Sequence, residues 1–145
     1  FLATRADVVQ GKIGIIGHSH GGSTVIRSSQ RIFGLARRGL AGGVAYYPGC
    51  SPQFDIGVDV PVLLLAGDKD DWTLADRCRG MVSGQARPAL VEAVYYPNAY
   101  HSFDSKVRDR EVAGSGGKMH HLAYDPVAAP DAEARTKAFF AKILR

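Results

Sequence analysis

Three residues far apart in the chain, Ser19, Asp70 and His101, are of the types that together turn a hydroxyl into a nucleophile. A serine hydroxyl attacks poorly at neutral pH until a base takes its proton. An imidazole can do so, and a carboxylate fixes the imidazole's tautomer and stabilises its charged form. Ser19 is the place to start because it stands in Gly17-His18-Ser19-His20-Gly21-Gly22. A G-x-S-x-G run between strand and helix bends the backbone sharply and presents the serine at the turn; the missing side chains of Gly17 and Gly21 are expected to let strand and helix approach. The backbone N–H of His20 would then donate to the oxyanion of an acyl-transfer intermediate, with the positive end of the next helix behind it. Gly-Ser-Gly turns also join strands to helices without any nucleophile, so an acid and a base must follow in the order Ser, Asp, His.

The acid is sought in Gly67-Asp68-Lys69-Asp70-Asp71-Trp72-Thr73, which follows an apolar run. Asp70 is the expected partner, with Asp71 as the alternative and a solvated turn as the plain reading. Trp72 either lines an acyl pocket or is partly buried packing. Of the five histidines, His18 and His20 are bound to the serine turn and expected to point away from it, while His120 and His121 fall in a long loop where exposure is the default. His101, in Tyr96-Pro97-Asn98-Ala99-Tyr100-His101-Ser102-Phe103, follows a strand and is the expected base. The pairs His18-x-His20 and His120-His121 lack a third ligand at structural spacing, so neither a metal nor another cofactor is expected.

Elements that could position these residues are readable from periodicity. Lys12 to Ile16 is a short apolar run of the kind found in strands buried on both faces, and Val62-Leu63-Leu64-Leu65 within Val60 to Ala66 reads as a central strand. Gly43 to Tyr47 and Ala89 to Tyr96 read as two more. Helical spacing follows from Ser23 through Val25, Ile32 and Leu35 to Arg38-Gly39, then over Leu74 to Val82, and finally after Pro130-Asp131, with Ala134, Ala138, Phe140, Ala141, Ile143 and Leu144 on the buried face. Phe1 to Gln10 reads as a helix tail and loop, Cys50 to Val58 as a loop, and Asp104 to Pro130, which contains Gly114-Ser115-Gly116-Gly117, as a long surface loop. Strands alternating with helices imply an α/β fold, a mostly parallel sheet with flanking helices and right-handed crossovers. Functional loops of such sheets gather at the carboxyl ends of the strands, where Ser19, 67–73 and 98–103 all fall.

The 145 residues, 46% hydrophobic and 22% charged, suit one globular domain over residues 1–145. The net charge of +4 is scattered; Arg31, Arg37 and Arg38 make no contiguous basic face, which argues against nucleic-acid binding. No apolar run approaches the ~20 residues of a bilayer span, so no membrane partner is expected. Oligomeric state is not legible.

At Ile13 to Gly22, Ala45-Tyr46-Tyr47-Pro48-Gly49-Cys50, Leu63 to Cys78 and Tyr95 to Asp104 the chain resembles the dienelactone hydrolase family of the α/β-hydrolase superfamily. The match runs through the whole chain but resembles only the carboxyl half of the family's domain, so its first strands, with the second oxyanion donor, are expected to be missing and the piece alone to be impaired. The resemblance implies a triad of Ser19, Asp70 and His101 and hydrolysis of a small carboxylic ester or lactone through an acyl-enzyme, with activity falling as His101 protonates below roughly pH 6 to 7. Members that open dienelactones carry Cys where this chain has Ser19, which favours a general carboxylesterase. The usual Pro after Asp-Asp-Trp-Thr is Leu74. A prolyl-oligopeptidase-like peptidase and a noncatalytic binding domain are the alternatives. Cys50 and Cys78 follow adjacent strands; a bridge between them would close a loop contributing about 3 to 4 kcal/mol and point to an oxidising compartment, the periplasm or the cell exterior.

Overall fold

Strands that are apolar on every residue need cover on both faces, and the architecture follows from that need. The computed structural model describes residues 1–53, 55–106 and 109–145. Four parallel strands, β1 (Ile13–His18), β2 (Leu40–Tyr46), β3 (Val62–Gly67) and β4 (Val91–Tyr96), lie side by side in that order. All six residues of β3 are buried, in keeping with its interior place. Helices α1 (His20–Ser28) and α2 (Ala75–Ser83) cover one face, where Val25, Ile26 and Met81 meet Ala45, Val62 and Leu64. Helix α3 (Ala128–Ile143) covers the other, where Ala132 and Phe139 meet Val44, Leu63 and Leu65. Each fully buried Leu or Ile of these layers contributes on the order of 1.5–3 kcal/mol.

The edges of these elements depart from expectation in instructive places. β1 starts at Ile13 and runs to His18 on the rim of the sheet, so Ile16 is 51% exposed and the strand is not buried on both faces. α1 stops at Ser28 instead of reaching Arg38. Gln30 turns extended to bridge Val58, Ser29 accepts from the Asp59 amide, and the chain continues in 3-10 turns closed by left-handed Gly34 and Gly39. Ile32 is consequently 84% exposed rather than core.

α3 begins two residues before Pro130, with Asp125 Oδ1 accepting the Val127 and Ala128 amides. Its buried face is Ala128, Ala129, Ala132, Thr136 and Phe139, while Ala134, Ala138 and Ala141 face solvent. Phe139 and a Tyr46–Thr136 hydroxyl pair at 2.7 Å choose that face. The 104–130 segment is not an open loop: β5 (Arg110–Ala113) and β6 (Met119–Leu122) form an antiparallel hairpin, and the stretch at Val107 and Arg108 lies outside the described residues, as does Phe54 of the 50–58 loop. Leu122 of β6 makes a parallel bridge with His101, tying the hairpin to the rim. Cys50 and Cys78 are disulfide-bonded, with Cα atoms 5.0 Å apart, joining the loop after β2 to α2. Among the described residues no helix is long and apolar enough to cross a membrane.

Candidate active site

Ser19 is the one residue between β1 and α1, and its backbone sits at φ 54°, ψ −117°, a conformation an L-residue holds only under constraint. A Cβ on Gly17 would lie 2.2 Å from the Gly21 carbonyl oxygen, so the close approach of strand and helix requires glycine there. The second glycine that this approach needs is Gly22, whose added Cβ would lie 2.8 Å from the Tyr46 carbonyl oxygen. Gly21 meets nothing within 4 Å, contrary to the expectation from the motif. The Ser19 amide donates to that same Tyr46 carbonyl at 2.9 Å, locking the turn to β2. His20 opens α1, where helix geometry leaves the first amides without an intrahelical acceptor.

The loops after β3 and β4 are interlocked. A Cβ on Gly67 would come within 2.2 Å of the Ala99 carbonyl oxygen, and Lys69 N–H donates to that carbonyl at 3.1 Å. Asp70 and His101 are thereby brought together, each only 3% exposed. His101 Nδ1 donates to Asp70 Oδ2 at 2.8 Å; Nε2, the ring's lone-pair nitrogen in that tautomer, accepts from Ser19 Oγ at 2.9 Å. Asp70 Oδ1 accepts the amides of Trp72 at 2.9 Å and Thr73 at 2.8 Å. Asp71, the alternative acid, is elsewhere: its half-exposed carboxylate lies 3.5 Å from His120 Nδ1 and accepts the His121 amide.

Thr73 had no part in the sequence expectation beyond membership of the loop. Its hydroxyl lies 2.8 Å from Asp70 Oδ2, 3.0 Å from the Tyr47 carbonyl oxygen and 3.3 Å from His101 Nδ1. The available signal was a hydroxyl three residues after the acid, the spacing at which a Thr side chain folds back on an Asp. Tyr47 was also missed. Its backbone is at φ 34°, its ring packs edge-on to His101 with centroids 4.7 Å apart, and its hydroxyl donates to Asp104. Burial and the facing Asp104 carboxylate push the Tyr47 phenol well above its usual range. Asp104 is pushed up by its own burial, but hydrogen bonds from His18 and Tyr47 outweigh that and hold it below the usual carboxylate value.

His18 is turned from Ser19 toward Asp104, at 3.1 Å, and stacks on Tyr46. His120 and His121 are not solvent-exposed loop groups. Both lie on β6; His120 is 7% exposed and stacks on Trp72, and His121 stacks on Tyr100 and pairs with Asp109. Trp72 is 40% exposed and packs between His101 and the hairpin, its ring 5.2 Å from His101 and 4.6 Å from His120. Among the described residues no group of three or more His, Cys, Asp or Glu is arranged to hold a metal ion. A donor hydroxyl, an imidazole and a buried carboxylate in one hydrogen-bonded line can carry a proton away from an attacking oxygen and return it.

Solved structures with the same fold include a candidate dienelactone hydrolase from Klebsiella pneumoniae subsp. pneumoniae, at TM-score 0.72 and 22% identity over 94% of this chain and 55% of that one. A dienelactone hydrolase-like promiscuous phosphotriesterase from metagenomic libraries matches at TM-score 0.73 and 22% identity, covering 97% of this chain and 56% of that one. Porphyromonas gingivalis dipeptidyl peptidase 4 matches at TM-score 0.66 and 15% identity, over 94% of this chain and 20% of the peptidase. The chain thus spans little more than half the length of the first two structures. No curated protein matches it. The fold is that of the α/β hydrolases, and because the model of the dienelactone hydrolase family matches residues 1–144, the chain belongs to that family of hydrolases.

Proposed function

We propose that the protein of which this chain forms part of the hydrolase domain is a serine hydrolase that cleaves small carboxylic esters or lactones through an acyl-enzyme. The observation that carries the reading is the hydrogen-bonded line from Ser19 Oγ through His101 to Asp70, drawn from the ends of three different strands. Ser19 Oγ attacks the carbonyl carbon as its proton passes to His101 Nε2, and Asp70 stabilises the resulting imidazolium. The oxyanion rests on the His20 amide at the positive end of α1. The tetrahedral intermediate collapses, and the alkoxide leaves with the proton from His101. Water then attacks the acyl-enzyme, giving a proton to His101, which returns it to Ser19 as the acid departs.

The test is labelling by a fluorophosphonate, which needs an activated hydroxyl and no particular substrate. A single adduct on Ser19, abolished in Ser19→Ala, supports the reading; an adduct elsewhere or none sinks it. Substrate class follows from turnover of a panel of aryl esters, small lactones and an aryl phosphotriester, the last included because one structural relative is described as a phosphotriesterase. Dipeptidyl substrates test the peptidase alternative, supported only by fold likeness to the dipeptidyl peptidase. The Cys50–Cys78 bond supports residence in an oxidising compartment, such as the periplasm or outside the cell. Alkylation mass shifts of the protein from its source, with and without reductant, check that placement.

A further inference from the structure

Two hydrogen bonds hold His101, one at each ring nitrogen, to Asp70 and Ser19. The ring is also tethered at Cγ, so the freedom that remains is rocking about χ1 and χ2, and the groups packed against the ring limit how far Nε2 swings from Ser19. Two rings pack against it: Tyr47, buried and tied to Asp104, and Trp72, which is 40% exposed and would be a poor wall unless something held it. That something is His120. Its imidazole lies nearly parallel to the indole, with centroids 4.6 Å apart and planes at 10°. His120 is 7% exposed, and its Nδ1 lies 3.2 Å from the Asp71 carbonyl oxygen and 3.5 Å from Asp71 Oδ1. The hairpin closes on it at Gly114, where an added Cβ would come within 2.7 Å of the ring. Two residues further along β6, Leu122 bridges the backbone of His101 itself.

We propose that His120, braced by Asp71, is a positioning residue for His101 and acts through the indole of Trp72. The inference rests on the reading of His101 as the base. It explains the burial of a histidine and the folding of the β5–β6 hairpin over the rim, neither of which the line of hydrogen bonds requires. The titratable and charged groups near His120 are Asp71 on the loop after β3, His101 beyond the indole and, on its own hairpin, Glu111, Lys118 and His121 with its partner Asp109.

Trp72 is the chain's single tryptophan, so its emission reports on the surroundings of this indole. Emission of His120→Ala is expected to shift to longer wavelength than the parent's as the indole loses its cover, and that of His120→Phe to stay near the parent's. The second readout is the rate constant for fluorophosphonate labelling of Ser19. His120→Ala is expected to lower it about 2- to 12-fold, the rate equivalent of one lost aromatic contact, and His120→Phe, which keeps a ring on the indole, to restore it to within about twofold. Phe as slow as Ala, or Ala as fast as the parent, overturns the proposal. If His120→Ala does not fold, His120→Gln, which keeps a polar group toward Asp71 and loses the ring on the indole, takes its place, and labelling by that variant as fast as the parent's overturns the proposal. Labelling away from Ser19 would instead sink the hydrolase reading while leaving the emission result intact, so the two failures are distinguishable.

Discussion

Replacing Asp70 with Asn puts the proposed chemistry under the sharpest test, because every partner of that carboxylate is a donor. Oδ1 accepts the amides of Trp72 and Thr73, and Oδ2 accepts the Thr73 hydroxyl and His101 Nδ1–H. Asparagine offers one acceptor oxygen and an amino group that cannot accept. The oxygen keeps the two backbone amides, so the amino group faces the imidazole, and Thr73 turns its proton to the Tyr47 carbonyl at 3.0 Å. His101 must then present its lone pair at Nδ1 and carry its proton on Nε2, where it donates to Ser19 instead of accepting from it. Loss of the working tautomer costs about 10⁴ in rate, or roughly 5.5 kcal/mol of barrier. One lost charge-assisted bond costs the fold only about 1.5–3 kcal/mol, so a folded variant remains measurable. The assay is the second-order rate of fluorophosphonate labelling at Ser19, with circular dichroism as the control for folding. Asp71→Asn reaches the base only through His120 and Trp72, so it should lose no more than about tenfold. Asp70→Asn labelling within tenfold of the parent, or Asp71→Asn as slow as Asp70→Asn, would refute the reasoning.

Thr73→Val removes a hydroxyl that serves a buried carboxylate; labelling should slow about 10- to 100-fold, with Thr73→Ser close to the parent in the same assay. Gly17→Ala drives a methyl into the Gly21 carbonyl and should unfold or melt far below the parent, whereas Gly21→Ala, with open space around it, should melt within a few degrees of it by thermal scan. Reduction of Cys50–Cys78, which spans a sequence separation of 28, should lower stability in denaturant melts by about 3–4 kcal/mol. Asp104 titrates below its unfolded value of 3.8, so its contribution is complete above that pH and is lost as pH falls through the lowered value. Urea melts between about pH 5 and pH 2 should therefore show a shallower loss of stability in Asp104→Asn than in the parent.

What the sequence made legible was the part governed by local rules. A run such as Val62 to Leu65 has no polar face, so it must be interior, and a parallel sheet sends its loops to one rim. Ser19, Asp70 and His101 could be brought to that rim before any distance was known, and there they meet. The faces and ends of helices were less legible for the same physical reason that makes alanine a good helix former. α3 carries alanines around most of its circumference, so its pattern does not single out a buried side, and a long-range contact between Thr136 and Tyr46 does. α1 ends where Gln30 finds Val58 across the fold, an event no window of helical spacing contains.

The surroundings of His101 escaped the sequence most completely, and they show what the rim demands of the rest of the fold. Among the described residues, the only non-glycine positions at positive φ are Ser19, Tyr47 and Ser102, and all three border the line of hydrogen bonds. Each such residue costs of order 1–3 kcal/mol and persists only where neighbours over-determine it. The neighbours are identifiable: the Ser19 amide on the Tyr46 carbonyl, the Tyr47 amide on Leu65, and the 2.9 Å bond from the Asp125 amide to the Phe103 carbonyl just after Ser102. Two of these bonds end on β2 and β3, the interior strands, where burial is greatest and opening least frequent. Strain is therefore stored where the sheet is best able to hold it. The hairpin that supplies His120 belongs to no part of that sheet, which makes it the element whose removal or loosening should disturb His101 while leaving the turn at Ser19 in place.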